Sequence, residues 1–251
     1  MTRAPLTTYF KLCTEFYDLE HHRGKAEASF YMNYALEAQG PILEPMCGTG
    51  RFLVPMLAAG CDIEGFDASP HMLDALRKKY VPNKAPVWQQ FLQDFSSSKR
   101  YNLIFIPYGS FGLILNPNDV QKSLTTLYHH LAPGGKLVLD IETINSVPHP
   151  CGIWRRGINT RADGSVIAIN TLTSYDEETQ LFTSLCRYES IENGTIVALE
   201  EEDFRQYLYR FDEMDTLLKQ FNFTSVIKYL DYAKNLATNE QAPLLIYECV
   251  K

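Results

Sequence analysis

A short apolar run that ends in an acid, Ile42-Leu43-Glu44, leads into the small-residue turn Cys47-Gly48-Thr49-Gly50. An amphipathic run, a stop at Gly60 and a second apolar run ending in Asp67 follow. That order predicts strand, glycine loop, helix and strand. Glycines in such a loop let the backbone approach a ligand closely, and the helix start behind them offers unpaired N–H groups. Asp67 stands seventeen residues beyond Gly50, where a carboxylate suits the two hydroxyls of a ribose. The chemistry within reach of these residues is therefore to hold a nucleoside. A dinucleotide fingerprint needs a third small residue to seat the helix on the strand, but the register Gly48-x-Gly50-x-x-Leu53 puts leucine there. A phosphate loop needs Gly-Lys before Ser or Thr, and Gly50-Arg51-Phe52 lacks it. NAD and ATP are disfavoured, which leaves a Rossmann-like nucleoside site with no call for a pyrophosphate.

The elements that must position these residues alternate strand and helix. Ser69-Pro70 is an N-cap with proline in the first turn, and Met72, Leu73 and Leu76 form the buried stripe of a helix closing on Arg77-Lys78-Lys79. A third strand is expected over Val87 to Gln93, and a fourth, continuously apolar as a central parallel strand should be, over Tyr101 to Pro107. The loop Tyr108-Gly109-Ser110-Phe111-Gly112 follows at the carboxyl edge, where open α/β sheets bind ligands. Asn116-Pro117 starts a helix that stops at Ala132-Pro133-Gly134-Gly135, with His129 and His130 suited to its negative end. A fifth strand runs from Lys136 to Glu142.

Taken in order, these motifs resemble those of the class I S-adenosylmethionine-dependent methyltransferases, whose first motif is an acid followed by Gly-x-Gly-x-Gly. Glu44 takes the acid's place, Gly48 and Gly50 those of the second and third glycines, and Met46 stands where the first would be. Asp94 falls where the family's third motif has an acid for the adenine amino group, followed by Phe95, whose backbone N–H would meet a ring nitrogen. Asn102 replaces the usual acid of the fourth motif, and the Leu-x-Pro-Gly-Gly-x-Leu pattern is one of the family's more specific local signatures. The resemblance implies a site for S-adenosyl-L-methionine and its product S-adenosyl-L-homocysteine built from Glu44, Met46, Cys47, Gly48, Gly50, Arg51, Asp67, Ala68, Met72, Gln93, Asp94, Phe95, Ile106 and Phe111. Tyr17 and Tyr31, on two N-terminal helices that break near Gly24, are candidates to reach the methionine carboxylate or the substrate, although packing a helix onto the core is the favoured reading for either one. A nitrogen or oxygen of the acceptor would attack the sulfonium methyl in line. A hydroxyl acceptor would need a base, for which Tyr108, His149 and Tyr175 are candidates.

The implied fold is a doubly wound α/β, seven-stranded, mostly parallel sheet of the class I methyltransferase kind. A small antiparallel β lid is inserted after the fifth strand. Residues 1–40 form N-terminal helices over the cofactor, 41–150 and 211–251 the Rossmann-like domain, and 151–210 the lid. Period-two runs such as Ile167, Ile169, Thr171, Thr173 and the hairpin signals Asp163-Gly164 and Asn193-Gly194 mark four lid strands. Asp212 and Asp215 form an approximate capping box on a last helix, and a final antiparallel hairpin pairs Ser225–Leu230 with Leu244–Val250. That layout gives the cofactor to the first domain and the acceptor, or a homodimer contact, to the lid.

Charge narrows the partners. The net charge is −7, and the lid carries six Arg and no Lys against ten acids, so no nucleic-acid face is expected. A small-molecule acceptor is expected ahead of methylation of a protein or a structured RNA, and a cofactor-binding regulator without turnover is the non-enzymatic alternative. The six cysteines are scattered, with no Cys-x-x-Cys pair or nearby His, so no metal is expected. Leu103 to Leu115, the longest apolar run, is broken by Pro107, Gly109 and Gly112 and is too short to span a bilayer. A cytoplasmic protein without membrane association is expected.

Overall fold

The computed structural model describes residues 6–20, 25–80 and 86–251; the expected break near Gly24 lies outside them. Seven strands form one sheet: β1 (Ile42–Pro45), β2 (Ile63–Asp67), β3 (Val87–Gln89), β4 (Tyr101–Ile106), β5 (Leu131–Glu142), β10 (Ser225–Tyr229) and β11 (Leu244–Val250). Their order is β10-β11-β5-β4-β1-β2-β3. Only β11 runs against its neighbours; β1, β2, β3, β4 and β5 pair in parallel. The order reverses between β1 and β4, so ligand groups are gathered at the carboxyl ends on either side of that switch. Strands β1 and β4 are apolar because both faces are covered, and Ile42, Leu43, Leu103, Ile104, Phe105 and Ile106 are all buried.

Helices α2 (Lys25–Glu37), α3 (Leu53–Ala58), α4 (Pro70–Lys79), α5 (Pro117–His130) and α6 (Glu213–Leu218) flank this sheet. The Ser69 hydroxyl accepts from the Met72 N–H at 3.3 Å and caps α4 as its sequence predicts. His130 closes α5: its Nδ1 meets the Thr126 carbonyl and its Nε2 accepts from the Ser97 N–H at 3.0 Å. Two expectations are corrected. The third strand stops at Gln89, because Leu92–Asp94 winds into a 3₁₀ turn in which the Phe91 and Leu92 carbonyls take the Asp94 and Phe95 N–H groups. The stacking of buried Phe95 on Phe66, at 4.9 Å between centroids, sets that turn. Nor do Asp212 and Asp215 form a capping box, since both carboxylates turn to the ammonium of Lys228 at 2.9 and 2.6 Å.

Strands β6 (Trp154–Thr160), β7 (Val166–Asp176), β8 (Leu181–Glu192) and β9 (Thr195–Tyr207) make the second, antiparallel sheet, in that order. Asn193 and Gly194 both take positive φ, 50° and 77°, as a two-residue hairpin requires. One face of this sheet lies on helix α1 (Lys11–Glu20), where Leu12, Cys13 and Phe16 pack on Ile167, Cys186 and Tyr188.

Candidate active site

The carboxyl ends of β1, β2 and β4 each turn sharply, and the turns carry the site. After β1, Met46 sits at φ 59°, Gly48 at 54° and Gly50 at 79°. Met46 thus holds the left-handed conformation that a glycine adopts without strain, and its side chain borders the cavity described below. A Cβ at Gly48 would meet nothing nearer than the Met72 sulfur at 4.0 Å, so this backbone faces open space. At Gly50 it would collide with Leu76 and Val54 at 2.7 and 2.8 Å, so that glycine lets the loop pack on α4.

Asp67, at the end of β2, is fixed by two backbone donors. Its Oδ2 accepts from the Gly48 N–H and its Oδ1 from the Ser69 N–H, each at 2.8 Å. Burial raises its pKa, and the N–H groups of Ser69, Gly48 and Ala68 pull it back towards the ionised form. Each oxygen retains a lone pair for a ligand hydroxyl. Glu44, 1 % exposed, lies behind the loop; burial, and next the charge of Asp67, hold its carboxyl well above its ordinary range.

After β4 the chain makes two consecutive left-handed steps, Tyr108 at φ 65° and Gly109 at 63°. Asp140 on β5, wholly buried, sets this turn by accepting the Gly109 N–H at 2.7 Å. Its other oxygen accepts the hydroxyls of Tyr31 and Tyr232 at 3.2 and 2.8 Å. Tyr232 also reaches Glu27, whose carboxylate pairs with Arg51 at 2.6 Å. The Arg51 guanidinium lies 4.9 Å from the centroid of the Tyr108 ring, and the Tyr17 ring meets that ring edge-on at 6.4 Å. A buried polar network thereby ties α2, the glycine loop and the β4 turn together.

Between these turns lies a cavity of about 390 Å³. Met46, Gly48, Asp67, Ala68, Met72, Gln93 and Tyr108, all expected from sequence, border it, and so does Tyr17. Cys47 and Gly50 are buried in the loop, while Ile106 and Phe111 are in the core. Asp94 and Phe95 are displaced from the wall by the 3₁₀ turn, and Gln90, Phe91 and Leu92 border it instead. His149 is exposed in the passage to the second sheet, and Tyr175 lies half-buried on β7. Neither borders the cavity, so Tyr108 alone of the three base candidates does. Burial raises its pKa, with Arg51 opposing, so it stands as a protonated hydroxyl at neutral pH. The strap Leu6 to Tyr9, Asp119 and Arg205 also border the cavity, beside Ser69, Ser110 and the stretch Leu113 to Asn116. The strap, Asp119 and Arg205 were missed because no local motif marks them.

The donor set fits a nucleoside carrying an amino-acid tail. Asp67 offers a charged acceptor for a ribose and Gly48 offers bare backbone; Arg51 does not border the cavity, but it lies against the Tyr108 ring that does, and its buried Nη1 has no hydrogen-bond partner among the described residues. Among the described residues no group of three or more His, Cys, Asp or Glu could hold a metal, and no helix is long and apolar enough to cross a membrane.

Comparison with known proteins agrees with this geometry. Residues 42–135 match the family model described as a methyltransferase domain. The chain is similar to a dTDP-3-amino-3,6-dideoxy-alpha-D-glucopyranose N,N-dimethyltransferase of Streptomyces fradiae, 25% identical over 55% of this chain and 56% of that one. It is also similar to a glycine/sarcosine N-methyltransferase of Halorhodospira halochloris, 31% identical over 47% and 46%. The chain therefore spans about half the length of the curated relatives it matches. Among solved structures, the sugar N-methyltransferase KedS8 of Streptoalloteichus superposes with a TM-score of 0.77 at 16% identity, over 100% of this chain and 98% of that one. The CcbJ methyltransferase of Streptomyces caelestis does so with 0.75 at 19% identity, over 97% of each. Residues 42–135 thus carry a methyltransferase domain, and the sheet order around it gives the chain the fold of these solved methyltransferase structures.

Proposed function

We propose that this chain transfers a methyl group from S-adenosylmethionine to a nitrogen of a small-molecule acceptor. The observation that carries the reading is Asp67, held by Gly48 and Ser69 with both oxygens available at the cavity wall. Bound there, the cofactor supplies a methyl already activated by its sulfonium, so the protein's part is alignment and exclusion of water. Asp67 holds the ribose and Arg51 the carboxylate. Gln90 and Gln93 would serve the nucleobase and Tyr108 the acceptor, since these residues border the cavity at opposite ends of the order β4-β1-β2-β3.

Tyr108 and Tyr17, both kept protonated by burial, orient the acceptor and are not bases. A neutral amine needs none at the chemical step, which favours nitrogen over oxygen. The similarity to an amino-sugar N,N-dimethyltransferase and a glycine/sarcosine N-methyltransferase supports the same choice. The exposed apolar side chains of the second sheet, among them Trp154, Ile158 and Leu185, suit a contact between two copies in a cytoplasmic homodimer. The test is formation of S-adenosylhomocysteine with a panel of amino sugars, amino acids and matched hydroxyl compounds. Turnover confined to the amines is expected; turnover confined to the hydroxyl compounds would overturn the reading.

A further inference from the structure

The cavity's front wall does not belong to the sheet that supplies Asp67. It is the strap Leu6 to Tyr9, and the group that holds it is Glu202 on β9. Glu202 is 4 % exposed. Its Oε2 accepts from the Thr8 hydroxyl at 2.7 Å and the Tyr9 N–H at 2.9 Å, and its Oε1 from the Phe10 N–H at 2.7 Å. Next to it, the Asp203 N–H reaches the Thr7 carbonyl at 3.0 Å. A buried carboxylate with several N–H and O–H donors makes strong, directional bonds.

The Tyr9 peptide faces both ways. Its N–H goes to Glu202, while its carbonyl accepts the Ser69 hydroxyl at 2.7 Å; the Ser69 N–H in turn holds Asp67. To face both ways Tyr9 adopts φ 63°, a left-handed conformation that costs free energy for any residue but glycine and persists only where its surroundings impose it. We infer that Glu202 is a positioning residue for the cofactor: through the strained Tyr9 peptide, the second sheet sets how firmly the ribose site is closed. This rests on the reading of the cavity as the S-adenosylmethionine site.

Glu200, two residues earlier on the same strand, is a built-in control. Its Oε1 caps the start of α1 through the Leu12 and Cys13 N–H groups at 2.9 and 3.2 Å, and neither of these partners borders the cavity. Glu202→Gln sets an amide N–H against the strap's donors, and Glu200→Gln does the same to the helix start. The experiment is calorimetric titration of the full chain with S-adenosylhomocysteine, with thermal unfolding recorded in parallel. Both variants are expected to melt earlier, but only Glu202→Gln should weaken binding, by about tenfold or more, with Glu200→Gln within about twofold of the parent. If Glu202→Gln does not fold, Thr8→Val, which removes one of the three donors and keeps the shape of the wall, should weaken binding about threefold. Parental affinity in the folded Glu202→Gln, or in Thr8→Val where that variant stands in, would overturn the inference. So would an equal loss in Glu200→Gln, which would make the effect purely structural. A parent chain that binds no S-adenosylhomocysteine would instead remove the cofactor reading, and the latch with it.

Discussion

In the seven-stranded sheet, Leu43, Ile104, Phe105 and Leu139 are sealed on both faces, and the site is formed by backbone: Met46, Gly48, Tyr108 and Gly109 all turn left-handed at strand ends. In the four-stranded sheet, β6 alternates exposed and half-buried residues. A cluster of six buried side chains seats that sheet on α1, and the cavity wall is held by one carboxylate, Glu202, reaching across to the strap's N–H groups. The first sheet positions ligand groups through turns that a thick core enforces; the second positions a wall through a few polar contacts over a thin core. Changes in the first should therefore act on what is bound, and changes in the second on whether the wall stays in place.

The largest effect is expected where the core is thinnest. Phe16 on α1 is buried against Tyr188, with ring centroids 5.9 Å apart. Phe16→Ala should cost about 3–5 kcal/mol of unfolding free energy and detach α1 from the second sheet first. Urea denaturation followed by two probes, one in each sheet, would show two transitions; a single shared transition with a loss under about 1 kcal/mol would break the comparison.

A somewhat smaller effect is expected with pH. Glu27, which ties α2 to the glycine loop through Arg51, has its pKa raised to about 7. Burial is the main cause and the charge of Asp140 adds to it, against Arg51 and the Tyr232 hydroxyl. From about pH 4.5 to 7 the folded chain then holds more proton at this site than the unfolded chain does. The stabilisation is full at the acid end and declines as pH rises through 7, by up to about 3 kcal/mol. Melting temperatures from pH 5 to 8 should fall less steeply in Glu27→Gln than in the parent, and coincident slopes would assign the titration elsewhere.

Smallest in free energy is Asp67→Ala, which should weaken S-adenosylhomocysteine by about 2 kcal/mol, roughly thirtyfold. Equal affinity measured by calorimetry would mean that the ribose is not held there.

What could be read from the sequence was whatever one local stretch encodes. The glycine loop, Asp67, the Asn116 cap and the Asn193-Gly194 hairpin each need only near neighbours, and each appears where expected, whereas α5 ends at His130, before the Pro-Gly-Gly stretch, and β5 runs through that stretch from Leu131. The residues that went unread act over distance. Asp140 showed only as an acid inside an apolar strand, and its partners Gly109, Tyr31 and Tyr232 come from three other segments. Asp94 and Phe95 lie off the cavity wall because Phe95, stacked on Phe66, belongs to a turn where the sequence pattern predicts continued strand. Glu202 sits in an acidic run, Glu200 to Asp203, that reads as a solvated face until α1 and the strap are laid against it.

The strap also orders events during synthesis. Tyr9 and Glu202 are 193 residues apart, so the strap that forms the front wall of the cavity is translated long before the strand that holds it. By the time β9 emerges, β1, β2, β3, β4 and β5 have already been translated, with the turns that carry Gly48, Asp67 and Tyr108. Domains generally form as their chain is made. A nascent chain halted before β9 would therefore carry the cofactor-binding turns with the front of the cavity still open, and closure would mark the completion of the second sheet.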